Sequence, residues 1–391
     1  DIGRRSMANS QANLQTVSHN VANKSTEGYS RQRVEVQSNV PVGQGKLRIG
    51  MGARPGEVIR INNQFLEKQI EKEGGNLGFN HSRSELLGRV EQVYNEQVNK
   101  GLNRFMGEFF NSFRELSNNP ESLSSRTLVK ESADFLTHDF SRVHNQLTDI
   151  QEDIDHRIET KVEEINEITR EIAQLNEKIT SIEIQGAQAN DERDRRDLLV
   201  KKLSEKVNIR YAENDDGQLA ITAGDSAVLV SGFSHRRLET QGTVASENKR
   251  EGNVEVFYKS SNASSPVNIT AQIQSGEIGG LLDVRDKVIN DLISDMDELA
   301  YTLASEVNQA HVHGFDRYNQ KGEDFFVNVK EKEGAAENIS VNRSILEDVG
   351  KIAAAGKPGA PGDNRIANIL SSLQYKQVLN NESSTLGDFY N

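Results

Sequence analysis

Leu147, Ile150, Ile154, Ile158, Val162, Ile165, Ile168, Ile172, Leu175, Ile179 and Ile182 recur at steps of three and four residues, the spacing of one helix face. Between them stand charged residues, among them Glu152, Asp153, Arg157, Lys161, Glu163, Glu164, Arg170, Glu171 and Lys178. At 1.5 Å per residue this stretch predicts a rod of about 55 Å, which must lie along another helix to be stable. Candidates are Ser82–Leu116, with Leu86, Leu87, Val90, Val93, Val98, Leu102, Phe105, Phe109, Phe110 and Phe113, and Ser124–His144. Asn190–Val207 and Gly279–Val312 carry the same texture, and a last helix starts near Asn364 with Ile366, Ile369, Leu370 and Leu373. Prolines stand only at 41, 55, 120, 266, 358 and 361, so nothing between Pro120 and Pro266 forbids long helices.

From Asn208 to Ile273 the texture changes to short β-branched runs: Ile209–Tyr211, Leu219–Thr222, Ala227–Val230, Val254–Tyr258 and Val267–Ile273. Turn signals at Asn214–Gly217, Ala223–Asp225, Ser231–Gly232 and Ser264–Pro266 separate them. A second β-coloured stretch, Arg33–Ile61, holds Gly43, Gly45, Gly50, Gly52 and Gly56, and Lys330–Pro361 has no firm pattern. The expected fold class is mainly α with β insertions: an elongated, multi-domain chain built on a long-helix bundle plus a small β domain. The expected divisions are 1–32; then 33–207 with 276–326 and 362–391 as the helical part, its β-rich loop at 33–61; then 208–275; and 327–361.

Asn9–Asn23 reads as a helix but is very polar, with only Ala12, Leu14, Val17, Val21 and Ala22 apolar, and His19, Asn20 and Asn23 close to that thin stripe. Such a helix is barely stable alone. Packed among neighbours in a polymer it makes sense, because amide side chains can hydrogen-bond across close helix contacts. The plainer alternative is a frayed terminal helix. Thr26–Glu27–Gly28–Tyr29 is a turn, with Gly28 giving backbone freedom and Tyr29 an amphipathic anchor.

Composition narrows the function classes. Lys and Arg number 46 and Asp and Glu 59 in 391 residues, a formal charge of −13, and a negative field argues against nucleic acid as a main partner. Hydrophobic residues are 35% and aromatics 6% with no Trp, and mean hydropathy is −0.65. That composition suits an elongated molecule better than a compact enzyme. No stretch approaches the ~20 apolar residues of a membrane span, and no signal-peptide pattern opens the chain. With no cysteine, disulfides, thiolate zinc sites and cysteine nucleophiles are excluded.

No catalytic constellation emerges, and no cofactor or metal is expected. His311-Val-His313 with Asp316 is the only close histidine pair, but side chains at i and i+2 of a helix diverge, so a solvated pair at a helix end is expected. Asn214–Gly217 lacks the remaining ligands of a calcium loop and reads as a hairpin turn. The glycines at 43–56 fit no phosphate-binding loop, and neither H-E-x-x-H nor G-x-S-x-G occurs. Asp191–Asp197 alternates charges at a helix start, where acids meet the positive end of the dipole. It is expected to form a solvated face or an ion-pair network between helices.

Ser18-His-Asn-Val-Ala-Asn-Lys-Ser-Thr-Glu-Gly-Tyr-Ser-Arg-Gln-Arg33 resembles the N-terminal signature of bacterial flagellar rod, hook and hook-associated proteins. Asn20, Ala22, Asn23, Thr26, Gly28, Tyr29, Arg31 and Gln32 match it; position 19 is His where that signature most often has Asn. Further stretches resemble the hook-associated protein 1 (FlgK) family in particular. They are Gly50–Ile61 with Phe65–Gln69, Asp191–Leu203 with Arg196, Asp197, Leu199 and Leu203 in register, Ser275–Leu282, Val307–Gln309, Gly314–Asp316, Gly322–Phe326 and Gly362–Arg365. The matches thin out at 235–270 and 327–361.

The resemblance implies a non-enzymatic structural subunit of the flagellum that joins hook to filament, self-assembles into a ring and takes part in flagellum assembly and motility. It implies type III export without a cleavable signal and an extracellular place at the hook–filament junction. Implied partners are the flagellar hook protein, hook-associated protein 3, identical subunits, and an export chaperone engaging the missing C-terminus; neither nucleic acid nor membrane insertion is implied. By the same resemblance 1–32 is part of an inner polymerisation domain, with Asn20, Asn23, Thr26, Gly28, Tyr29, Arg31 and Gln32 at the polymer interface. The segment 208–275 becomes an outward β domain and 327–361 a reduced variable region. Since this family ends with a long helix that pairs with the first, the resemblance also implies a chain cut at both ends. Two alternatives stand beside it: another axial component of hook or distal-rod type, and a cytosolic coiled-coil scaffold built on the 147–182 stripe.

Overall fold

The 147–182 stripe lies inside a single 62-residue helix, Leu123–Ile184 (α4). It merges with the expected Ser124–His144 because neither Gly nor Pro occurs between them. We describe the protein from a computed structural model covering residues 2–44, 47–94, 101–244, 250, 252–260, 265–379 and 383–387. The other long helices are α1 (Ile2–Ala22), α2 (Gln64–Val93), α3 (Leu102–Asn118), α5 (Asn190–Lys206), α6 (Gly276–Asp283), α7 (Asn290–His311) and α8 (Arg365–Ser372).

Three expected boundaries need correction. Ser82–Leu116 is two helices, α2 and α3, and Val98, proposed for its stripe, lies outside the described residues. Gly279–Val312 is α6 and α7 with a π-helical segment, Val284–Ile289, between them. That segment carries Arg285, fully buried and paired with Asp286 at 2.7 Å. Finally α2 begins well before Ser82, although Gly74, Gly75 and Gly78 look like breakers. The helix needs them for close approach: a Cβ at Gly78 would lie 2.3 Å from the Glu205 carbonyl oxygen.

The chain divides into two units, Asp1–Ser84 with Asp155–Asp283 and Glu85–Ile154 with Val284–Asn391. In the first, β1 (Gln32–Ser38) pairs antiparallel with β4 (Ala53–Arg60), and the connection holds the short hairpin β2 (Val42–Gln44) and β3 (Leu47–Ile49). Gly45 lies outside the described residues. The expected β module is two antiparallel sheets. One has β5 (Ile209–Glu213), β6 (Leu219–Ala223), β7 (Ala227–Ser231) and β8 (Ser234–His235) in sequence order. The other has order β11 (Val267–Asn268), β10 (Val254–Tyr258), β9 (Leu238–Gly242). Strand β9 was not expected. Alternation exposes every second residue, and only Leu238 of this strand is apolar and buried.

Two asparagines of α4 tie these sheets to the helix. Asn166 donates to the Leu238 carbonyl and accepts its N–H at 3.0 and 2.8 Å. Asn176 donates to the Leu219 and Gly232 carbonyls and accepts from Leu219 N and Arg196 Nη1. Both are buried, and Ile158, Val162, Ile165, Ile172 and Ile179 of the stripe are buried with them. The stripe therefore packs within the chain.

In the second unit Phe109, Phe110 and Phe113 of α3 interlock with Phe325 and Phe326, with ring centroids 4.9–5.9 Å apart. The patternless segment after Phe326 packs there too: it folds into short helices at Ala335–Asn338 and Arg343–Glu347 and buries Ile345, Ile352 and Ala353–Ala355.

Candidate functional site

Helix α1 has no buried residue. Its half-buried positions are Arg5, Asn9, Ala12, Thr16, His19 and Asn20, all polar but one, and they face the β1–β4 ribbon. Arg5 donates to the Met51 carbonyl at 2.9 Å and Asn9 to that of Ala53 at 3.0 Å. The opposite face, Met7, Leu14, Val17 and Val21, is 56–74% exposed. The residues i, i+7, i+10 and i+14 of that face form the seam spacing of a helix that packs on another helix. The helix thus spends its polar side on its own fold and leaves its apolar side to solvent, the reverse of an ordinary surface helix.

The turn after α1 is held by one amide. Asn20 Oδ1 accepts from Tyr29 Oη at 2.8 Å and from Gln32 N at 2.9 Å, while Asn20 Nδ2 donates to the Gln32 carbonyl at 2.9 Å. Gly28 turns the chain at φ +78°, and a Cβ there would meet Leu198 Cβ at 2.9 Å, so both conformation and space call for glycine. Asn23 Nδ2 donates back to the His19 carbonyl at 3.1 Å, and Thr26 Oγ1 to Asn23 Oδ1 at 3.3 Å. Gln32 is buried and its Nε2 reaches Asp191 Oδ1 at 2.8 Å. Arg31 differs: its side chain is exposed and its carbonyl accepts from Ile61 N at 2.8 Å. Of the residues singled out by sequence, then, Asn20, Tyr29 and Gln32 converge on one knot, Asn23, Thr26 and Gly28 shape the turn, and Arg31 stands apart.

The first turns of α5 receive this knot. Asp194 accepts from Ser30 N and from Arg60, each at 2.8 Å, and Asp197 accepts from the same Arg60 nitrogen at 2.7 Å. Burial opposes the Arg60 charge, but Asp197 and Asp194 outweigh it and hold its pKa above the ordinary value. Burial, and then the nearby Asp191 and Asp194, raise the Tyr29 pKa, so the phenol keeps its proton. Farther along α5, Arg193 pairs with Glu183 and Glu213 at 2.6 Å. Buried Arg196 donates to Asn176, to the Gly217 carbonyl and to Glu213. The run Asp191–Asp197 is therefore an ion-pair network, with Asp194 and Arg196 buried rather than solvated. Sequence reasoning missed Arg60, Asp191 and Asp194 as members of the junction; their only signal was charge beside a helix start.

The His311–His313 expectation is corrected. His311 is fully buried and makes two backbone contacts: Nε2 accepts from Ala353 N at 2.8 Å, so Nδ1 carries the proton and donates to the Glu323 carbonyl at 2.5 Å. Burial lowers its pKa to about 4. It is a neutral core residue. Among the described residues no three His, Asp or Glu side chains are grouped closely enough to hold a metal ion.

Several known proteins resemble this chain. A family profile for the helical domain of flagellar hook-associated protein FlgK matches residues 87–326. Flagellar hook-associated protein 1 of Bacillus subtilis is 28% identical across 100% of this chain, which covers 83% of that protein. Its counterpart from Salmonella typhimurium is 29% identical over 81% of this chain, and there the match spans 57% of the relative. The solved flagellar hook junction protein FlgK of Burkholderia pseudomallei superposes with a TM-score of 0.60 at 21% identity, covering 67% of this chain and 46% of that one; at that identity it supports the fold.

Proposed function

The chain belongs to the FlgK family of flagellar hook-associated proteins, and from that premise we propose that it is a non-enzymatic structural subunit of the hook–filament junction. In this reading copies of the chain form a ring, with hook protein on one side and hook-associated protein 3 on the other, outside the cell at the end of the hook. The observation that carries the reading is α1: its apolar face, Met7, Leu14, Val17 and Val21, is presented to solvent while its polar face is consumed by its own fold.

A helix so arranged is finished only when another helix covers the seam. The polymer-interface role assigned to Asn20, Asn23, Thr26, Gly28, Tyr29, Arg31 and Gln32 becomes, in this proposal, mainly indirect. Asn20, Tyr29 and Gln32 fix the angle at which α1 leaves the ribbon, and Arg31 is free to face a neighbour. Burial of the 147–182 stripe weighs against a scaffold that dimerises through it.

Deleting the gene and locating flagellin tests the proposal. Intact hooks without filaments, with flagellin shed into the medium, are the expected result. Filaments firmly attached to hooks would contradict it.

A further inference from the structure

Strand β5 ends its sheet: among the described residues β6 is its one partner, in register from Ile209 opposite Ala223 to Glu213 opposite Leu219. The flanking bonds fix which backbone groups that pairing uses. Gly224 N donates to the Asn208 carbonyl and Asn214 N to that of Gln218, each at 3.0 Å. Residues 208, 210, 212 and 214 therefore face β6. The N–H and C=O groups of Ile209, Tyr211 and Glu213 point out of the sheet edge, and none has a hydrogen-bond partner among the described residues.

Elsewhere in the β module the same deficit is filled from within the chain, by Asn166 at Leu238 and by Asn176 at Leu219. Along β5 there is open space instead. Two cavities of about 450 and 630 Å³ share Lys68, Glu71 and Tyr211 and together follow the strand; Ile209–Tyr211 line the first and Tyr211–Glu213 the second. Helix α2 supplies the facing wall and is tied to the strand by Tyr211 Oη, which donates to Glu71 Oε2 at 2.9 Å. All of these residues belong to the first unit.

The groove is charged unevenly. In the first cavity Arg210 pairs with Asp225, and Glu71 is held by Tyr211. Lys68 and Lys72 are left without a carboxylate among the described residues. In the second, Arg60 pairs with Asp197, Arg193 with Glu183 and Glu213, and Arg196 with Glu213. There Glu67 and Asp215 are left without a cation among the described residues.

We propose that this groove takes an extended peptide segment of a partner protein, which joins β5 as a further antiparallel strand. The segment carries a basic residue near its start, beside Glu67 and Asp215, and an acidic residue near its end, beside Lys68 and Lys72. Pairing with the outward groups of Ile209, Tyr211 and Glu213 supplies affinity, and the two charges set direction. The proposal does not rest on the assembly reading.

Amide exchange of the whole chain, read by NMR, tests it with a blocked heptapeptide of alternating Val and Thr between an initial Lys and a final Asp. In the free chain the amides of Ile209, Tyr211 and Glu213 should exchange fast, while those of Arg210 and Ala212 are protected. The peptide should slow the three outward amides about tenfold at about ten times its dissociation constant. The same peptide methylated at every backbone nitrogen should have no effect. Lys68→Gln combined with Lys72→Gln, both exposed positions, should weaken binding about two- to fivefold at low salt. No slowing at millimolar peptide, an equal effect of the methylated peptide, or unchanged affinity in the lysine variant would overturn the proposal. Slowing that follows protein concentration without peptide would give the edge to a second copy and overturn it too.

Discussion

At Asn20 one amide closes three hydrogen bonds, to Tyr29 Oη, Gln32 N and the Gln32 carbonyl. Asn20→Ala leaves those groups half-buried without partners, a loss of about 1–3 kcal/mol. We expect a matching drop in unfolding free energy and early protease cutting after Ala22; unchanged stability would refute the role. His311 makes an independent prediction. Its folded pKa of about 4 lies below the 6.5 of a free imidazole, so the unfolded chain takes up a proton that the native chain refuses. Stability is whole above about pH 6.5 and falls as pH drops towards 4, by up to about 3 kcal/mol. His311→Phe should lower stability at neutral pH, with the gap to the parent narrowing on acidification. That role was not legible in sequence: it comes from burial of His311 and from the backbone groups of Glu323 and Ala353 that point at its ring, and no spacing encodes that.

Among elements, α4 was the most legible, because its core face repeats without a helix breaker. Two of its asparagines, Asn166 and Asn176, carry no signal in that repeat. In fact each replaces a missing strand partner for the backbone of the β module, Asn166 at Leu238 and Asn176 at Leu219 and Gly232. Asn176→Leu would strand those groups and one Arg196 contact, costing about 3 kcal/mol or more. Exchange should then accelerate in 219–232 ahead of α4 itself. Helix α2 was read too short; its first half holds Gly74, Gly75 and Gly78, which lie against Ser204 and Glu205 of α5. For α1 the sequence showed a thin apolar stripe and several amides; their placement on opposite faces shows only once the ribbon is in place. Gly28 was correctly read as a backbone necessity, now joined by its contact with Leu198.

For the molecule as a whole, the fold class was readable from periodicity, and the family from the Asn20–Gln32 and Asp191–Leu203 stretches, which turn out to be the two sides of one junction. That junction holds α1 with its seam outward. Substituting the seam should therefore separate folding from assembly: Leu14→Ser with Val17→Ser and Val21→Ser removes no buried side chain, so the unfolding transition of the chain should move little. The most direct test is to put this triple variant in place of the native gene and measure how flagellin divides between cell-attached filaments and medium. Flagellin shed into the medium, with hooks intact and the variant exported at normal levels, is the predicted result. Filaments attached as firmly as in the parent strain would contradict the claim that α1 makes the assembly contact.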